Sequence, residues 1–68
     1  MILSAWRAVV GERISSQTED LHFEGDKLVC KVKNPVWRHE IHANRFSIAK
    51  RLNEKVKGQV VGDIIVRG

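Results

Sequence analysis

This chain of 68 residues lacks a pair of cysteines, a long apolar run and the marks of a leader segment. With Cys30 alone no intramolecular disulfide can form, so we expect a protein of the reducing cytoplasm. No apolar stretch approaches the ~20 residues that span a membrane, and the first residues lack the basic start and apolar core of a signal peptide. We therefore expect neither membrane insertion nor secretion.

Internal repeats, low-complexity tracts and linkers rich in proline, glycine or serine are also missing. A chain of this length forms one domain at most, and we expect residues 1–68 to be that domain. Such a domain buries only ~60% of the surface that its unfolded chain exposes. Its core is therefore thin, which leaves little room for a deep substrate cleft.

Basic residues outnumber acidic ones, 12 Lys and Arg against 8 Asp and Glu, and the net charge is +4. An excess of this size makes anionic partners such as nucleic acids plausible, but a solvated basic surface has the same composition. Charge alone does not separate DNA from RNA.

The first half of the chain predicts a helix and a β-hairpin. Apolar residues spaced by three and four predict a helix over residues 2–16, namely Ile2, Leu3, Trp6, Val10 and Ile14. Gly11 should cost this helix about 1 kcal/mol relative to alanine, and we expect close packing there to compensate. The apolar stretch 21–23, the turn at Gly25 and the alternating stretch 27–33 predict the hairpin, with Leu28, Cys30 and Val32 on its inner face.

The second half predicts one long helix and a closing strand. Asn34 suits the N-cap and Pro35 the first helical position, the apolar period continues over 36–57, and Gly58 is placed to end the helix. Residues 59–67 are rich in β-branched side chains and predict a strand. Because apolar residues fall on both faces of this strand, we expect the second face of the sheet to be covered, with a second copy of the chain as one candidate.

These elements together predict an α+β domain of order α-β-β-α-β, in which two helices pack on one face of a three-stranded sheet.

Several motifs follow one another at a specific spacing. They are Trp6-Arg7-Ala8-Val9-Val10-Gly11 followed by Ile14, Gly25 followed by Leu28-Val29-Cys30-Lys31-Val32, Trp37 with Glu40-Ile41, Ile48-Ala49 with Leu52-Asn53, and Asp63-Ile64-Ile65-Val66-Arg67. In this order, from Ala5 to Arg67, they resemble the DciA family, also catalogued as domain of unknown function 721. The resemblance implies a KH-like module of the bacterial cytoplasm that engages the replicative helicase and single-stranded DNA. It brings no catalytic residue and no cofactor, and the sequence lacks the Gly-x-x-Gly loop of a typical KH domain.

Basic side chains are the best candidates for contacts with phosphates. We predict a nucleic-acid-binding set on the second strand and the second helix, made up of Lys31, Lys33, Arg38, Arg45, Lys50, Arg51, Lys55 and Lys57. Glu40 and Glu54 lie among them, so a solvated face with i,i+4 pairs is the alternative. Arg45 projects from the middle of the predicted apolar sector, where it either snorkels or reaches a partner's carboxylate or phosphate.

Aromatic side chains are possible platforms for bases. Trp6 and Trp37 lie on apolar helix faces, which favours core positions. Phe46 lies roughly 120° from the centre of the apolar sector, so it is either exposed and functional or packed under the hairpin.

Metal binding and nucleophilic catalysis find little support. Cys30 falls on the inner face of the hairpin, where it is expected to act as a small buried hydrophobe. His39 and His42 are three apart on a helix, but no fourth ligand follows at a recognisable spacing, so we predict no metal site.

The prediction is therefore a non-catalytic interaction module that binds single-stranded DNA and docks on the replicative helicase in DNA replication. One alternative is a structural module without a nucleic-acid role, which forms a homodimer through the sheet. Another is a small KH-like RNA-binding domain. An enzyme has the least support, because no acid–base pair, nucleophile elbow or phosphate loop is present.

Overall fold

A computed structural model describes residues 2–68 and, of their side chains, those of residues 4–68. The side chains of Ile2 and Leu3, which the sequence assigns to the apolar face of the first helix, lie outside the described part. Within residues 2–68 the chain forms four helices and three strands, which are α1 (Ile2–Val10), α2 (Glu12–Gln17), β1 (Thr18–Glu24), β2 (Lys27–Val32), α3 (Pro35–Ala43), α4 (Arg45–Val56) and β3 (Asp63–Arg67). None of the helices in this range has both the length and the apolar character needed to cross a bilayer.

The chain between residues 2 and 16 forms two helices where one was predicted, because it breaks at Gly11. This glycine has a φ of 89°, a backbone conformation that residues with a side chain rarely adopt. A Cβ atom at this position would meet no other atom within 4 Å. The expectation of close packing is therefore wrong, and the backbone conformation itself explains the glycine.

Trp6 is fully buried and connects α1 to the start of the sheet. Its indole Nε1 donates a hydrogen bond to Thr18 Oγ1 at 3.1 Å, and the Thr18 hydroxyl donates to the Ile14 carbonyl at 2.9 Å. The one polar atom of the indole is therefore satisfied within the core. The predicted core position is confirmed, and Trp37 is half-buried against the same core.

The three strands form a mixed sheet of order β1-β2-β3, antiparallel between β1 and β2 and parallel between β2 and β3. Gly25 is the first of the two hairpin loop residues and has a φ of 66°, as a type II′ turn requires. The first strand is longer than the predicted stretch 21–23 and reaches back to Thr18. The predicted hairpin is confirmed, and β2 is the central strand.

The core lies between one face of the sheet and the helices. Its members are Ala5, Trp6, Val9, Leu28, Cys30, Val32, Ile41, Ile48, Ala49, Leu52, Val61 and Ile64. The alternation predicted for the second strand is therefore confirmed, with its three inner residues facing the helices. Counting each broken helix once, the order is α-β-β-α-β, and the predicted α+β class is confirmed.

The long helix predicted over 36–57 also breaks, at Asn44. Its predicted start is confirmed, since Asn34 Oδ1 accepts a hydrogen bond from the Val36 amide at 2.9 Å and Pro35 is the first helical residue. At the break, the Asn44 side-chain amide donates to the Glu40 carbonyl at 2.8 Å. Asparagine competes in this way for backbone groups that a helix would otherwise use.

The end of α4 differs from the prediction by one residue. Lys57, not Gly58, adopts the left-handed conformation, with φ 57° and ψ 47°. The Gly58 amide then donates to the Asn53 carbonyl at 3.0 Å, which closes the last turn.

The closing strand begins at Asp63 and not at residue 59, because residues 59–62 reverse the chain. Asn53 holds this reversal: its Oδ1 accepts from the Val60 and Val61 amides at 2.9 and 2.8 Å, and its Nδ2 donates to the Val61 carbonyl at 2.9 Å. Gly62 donates to the Asp26 carbonyl at 2.7 Å, and a Cβ on it would collide with the Asp26 carboxylate. Residues 59–62 therefore form a turn, and pairing with β2 begins only at Asp63.

Replacing Asn53 with alanine should lower the free energy of unfolding by about 2–3 kcal/mol, because partly buried backbone groups lose their partners. Asn53→Asp keeps the two accepted bonds and loses the donated one, so it should fall between alanine and the wild type. Urea denaturation followed by circular dichroism measures both. The control is Gln59→Ala, at an exposed position of the same segment. An Asn53→Ala variant as stable as this control contradicts the role of Asn53.

Replacing Lys57 with glycine should raise the free energy of unfolding by about 0.5–1 kcal/mol, because the left-handed conformation costs a side chain more than it costs glycine. Lys55→Gly removes the same charge from within α4 and should lower it by about 1 kcal/mol. The two variants therefore shift the thermal midpoint in opposite directions. Equal shifts of the same sign contradict the assignment.

Candidate nucleic-acid interface

The eight predicted basic residues divide into those that other groups hold and those that are free to reach a ligand. Arg38 belongs to the first group, because its guanidinium donates to the Val32 and Lys33 carbonyls at the end of β2. Lys33 itself lies 3.5 Å from a Glu19 carboxylate oxygen. Lys31 is exposed on the sheet face opposite the core, away from the helices.

Arg45 is also held by groups of this chain. It is the first residue of α4, half-buried, and its Nη1 donates to the His42 carbonyl at 2.9 Å. Its Nε lies 3.8 Å from Asp63 Oδ1, and its Cζ lies 4.6 Å from the centre of the Phe46 ring. In this position the Arg45 side chain bridges the break at Asn44 and contacts both α3 and the start of β3.

The remaining four residues, Lys50, Arg51, Lys55 and Lys57, are exposed on α4 and just after it. In the part of the chain that the structure describes, none of them has a carboxylate oxygen within 4.0 Å. The i,i+4 ion pairs of the alternative are therefore not formed by these four residues, and a solvated basic face stays the alternative to a binding surface. These cations can contact an anion without first breaking an ion pair.

Three of the four free cations border clefts on two sides of α4, and Lys57 follows the end of the helix. Arg51 and Lys55 border shallow clefts between α4 and the first helices. Lys50 borders a larger groove of about 520 Å³ between α4 and the segment 58–62. The groove is lined by Phe46, Ala49, Lys50, Asn53, Glu54, Gly58, Gln59, Val61 and Gly62.

Phe46 is the aromatic side chain of this groove and is 71% exposed. The sequence left open whether it was exposed or packed under the hairpin, and the structure shows that it is exposed. Its angle of roughly 120° from the apolar sector was the signal that pointed to exposure. Asn53 was missed as a groove residue, because its contacts with residues 60 and 61 depend on a chain reversal that no local pattern records.

Cys30 is buried in the core and its Sγ lies 3.6 Å from the Ile65 carbonyl oxygen. Burial raises the pKa of the Cys30 thiol to about 11. The thiolate is therefore scarce at neutral pH, which confirms the interpretation of this residue as a small buried hydrophobe.

The sheet face opposite the core carries an ionic cluster centred on His22. Its Nε2 lies 3.0 Å from Glu24 Oε2 and its Nδ1 lies 2.8 Å from Asp20 Oδ2, while Arg67 lies 3.5 Å from Glu24. Hydrogen bonds to Glu24 and then to Asp20 raise the pKa of His22 above its usual 6.5. Val29, on the same face, is only 2% exposed within one chain. Its burial therefore needs no second copy, and the homodimer through the sheet stays a prediction.

A family model described as "Dna[CI] antecedent, DciA" matches residues 1–66 of the chain. The chain belongs to the DciA family. Membership implies a role in loading the replicative helicase in bacteria, and the family consists of helicase loaders and interaction proteins, not of known catalytic enzymes. No curated protein and no solved structure matches the chain.

Several residues that carry the DciA resemblance have a structural role in this chain. Trp6 fills the core and Gly11 permits the break between α1 and α2. Leu52 is buried, and Asn53, which follows it, holds the reversal into β3. These positions maintain the fold, so they leave the free cations of α4 and the groove beside it as the candidate interface of this DciA domain.

The pH dependence of this DciA domain should reflect His22. Because the folded-state pKa is raised, protonated His22 stabilises the fold fully below pH 6.5, and this stability is lost as the pH rises through the raised folded pKa. NMR titration of the imidazole should give a pKa above 6.5, and Glu24→Gln should lower it. Glu40→Gln removes a distant exposed carboxylate and serves as the control. An imidazole pKa that Glu24→Gln leaves unchanged contradicts the cluster.

Proposed function

We propose that this DciA domain is a non-catalytic interaction module of the bacterial cytoplasm, which binds single-stranded DNA and docks on the replicative helicase. Its role in helicase loading rests on the family match over residues 1–66. The observation that supports DNA binding is the set of exposed cations on α4, namely Lys50, Arg51, Lys55 and Lys57, without carboxylate partners among the described residues.

Contact with phosphates is the chemistry that suits these side chains. Long cationic side chains that neutralise phosphates release counterions, which gives an affinity that falls with salt concentration. Lys33, Arg38 and Arg45 are expected to contribute less, because each already contacts a carboxylate or a backbone carbonyl of this chain. Of the eight predicted residues, the four exposed cations are therefore the principal candidates. Lys31 is separated from them, because it lies on the sheet face opposite the core.

Two double variants test the proposal, and each serves as the charge-matched comparison for the other. Lys50→Gln with Lys57→Gln removes the groove cation and the one directly after α4, and Arg51→Gln with Lys55→Gln removes those beside the first helices. Binding of a labelled single-stranded oligonucleotide is followed by fluorescence anisotropy at several salt concentrations. Loss of two phosphate contacts should make the slope of log K against log salt shallower by about 1.4.

The controls fix the kind of nucleic acid and the effect of net charge. Arg13→Gln with Arg67→Gln removes two positive charges, one on α2 and one on the sheet face opposite the core, and should leave the slope near its wild-type value. The matching duplex and the matching RNA should bind more weakly than the single-stranded DNA. Tighter binding of RNA supports the KH-like RNA-binding alternative, and no effect of either double variant overturns the assignment to α4.

A further inference from the structure

We infer that the groove between α4 and the segment 58–62 seats one nucleotide of the bound single strand, with its base on Phe46 and its phosphate at Lys50. This inference rests on the proposed function and assigns a position within it. It adds an aromatic contact to a surface that has so far been described by its charge.

Phe46 has the exposure that a stacking platform needs. At 71% exposed it contributes little to the core, whereas Trp6 and Trp37 are taken up by packing. An aromatic ring on a surface is available to the face of an unpaired base, and such stacking tolerates any base sequence.

Arg45 restricts the orientation of the ring before a base arrives. Its guanidinium lies 4.6 Å from the ring centre and is itself anchored to the His42 carbonyl and near Asp63. A cation over an aromatic face is attracted by the ring's electrons and holds it in place. Less side-chain freedom is then lost when the base binds.

Charge favours one position for the phosphate in the groove. Lys50 lies four residues after Phe46 and therefore on the same side of α4, where its ammonium can reach the phosphate of a base stacked on the ring. Glu54 lines the groove one further turn along and repels phosphates. The phosphate is therefore expected at Lys50, between the Phe46 ring and Glu54.

The narrow wall of the groove leaves room for a nucleotide. Within the segment 58–62 Gly58 has no side chain, whereas the Asp26 carboxylate lies against Gly62, and Asn53 holds the backbone of the segment against α4. A groove of about 520 Å³ lies within the range in which proteins bind small organic ligands. The hydrogen bonds of Asn53 fix this wall before a nucleotide binds.

Two strands with the same number of phosphates test the stacking step, one oligodeoxythymidine and one abasic. The wild type should bind the strand with bases more tightly, and Phe46→Ala should weaken that binding about tenfold while it leaves the abasic strand unaffected. The salt slope should not change in this variant, because stacking releases no counterions. Phe46→Trp should restore the preference for the strand with bases.

Val36→Ala is the matched control, since Val36 is 68% exposed on α3 and does not line the groove. Glu54→Gln should change the affinity in the opposite direction to Phe46→Ala. Because it removes a negative charge from the groove, it should tighten DNA binding about twofold at low salt. Because both Phe46 and Val36 are exposed, the variants should keep the wild-type thermal midpoint.

The outcomes separate this inference from the function on which it rests. Phe46→Ala binding like the wild type, while either cation double variant weakens binding, overturns the stacking site and leaves DNA binding standing. A Phe46→Ala variant that captures less of the replicative helicase but binds DNA normally assigns the ring to a protein contact, which also overturns it. No binding by the wild type at low salt overturns both.

Discussion

The side-chain amide of Asn53 determines how the last third of the chain is placed. A strand parallel to β2 requires the chain to cross over through α3 and α4 and then reverse, and a reversal exposes backbone groups that have no partner in a helix or a sheet. Asn53 supplies an acceptor for two amides and a donor for one carbonyl, all within Val60 and Val61. Val61 and Ile64 then enter the core, and the groove wall of residues 58–62 is held against α4.

A thin core also explains how the polar side chains are used. With little apolar surface to bury, several long donors satisfy backbone carbonyls at the ends of elements, as Arg38 does after β2 and Arg45 does across the break before α4. Similar residue types on α4, such as Lys50 and Arg51, make no such bond within the described part of the chain. Position in the fold, and not residue type, therefore separates the cations that maintain the structure from those available to a ligand.

The sequence predicts the elements of this fold better than their limits. Alternation and helical periods correctly predict the hairpin, the core face of β2 and the α+β class. The breaks at Gly11 and Asn44 were missed because the apolar period continues across them, and the left-handed Lys57 was missed because lysine has no preference for that conformation. At the site, the position of Phe46 outside the apolar sector allowed its exposure to be anticipated as one of two alternatives. The anchoring of Arg38 and Arg45 was not, because sequence patterns carry no record of backbone carbonyls.

The proposed contacts imply a particular kind of DNA binding. Four phosphate contacts correspond to a slope of log K against log salt of about −3, and a single stacked base adds about 1–3 kcal/mol. Binding of this kind weakens strongly between low and physiological salt, and it carries no base-edge contacts that would select a sequence. Such contacts would let the domain hold strands of any sequence, which is compatible with the proposed role in helicase loading. If α4 contacts DNA in this way, any specificity would have to come from the proposed contact with the helicase.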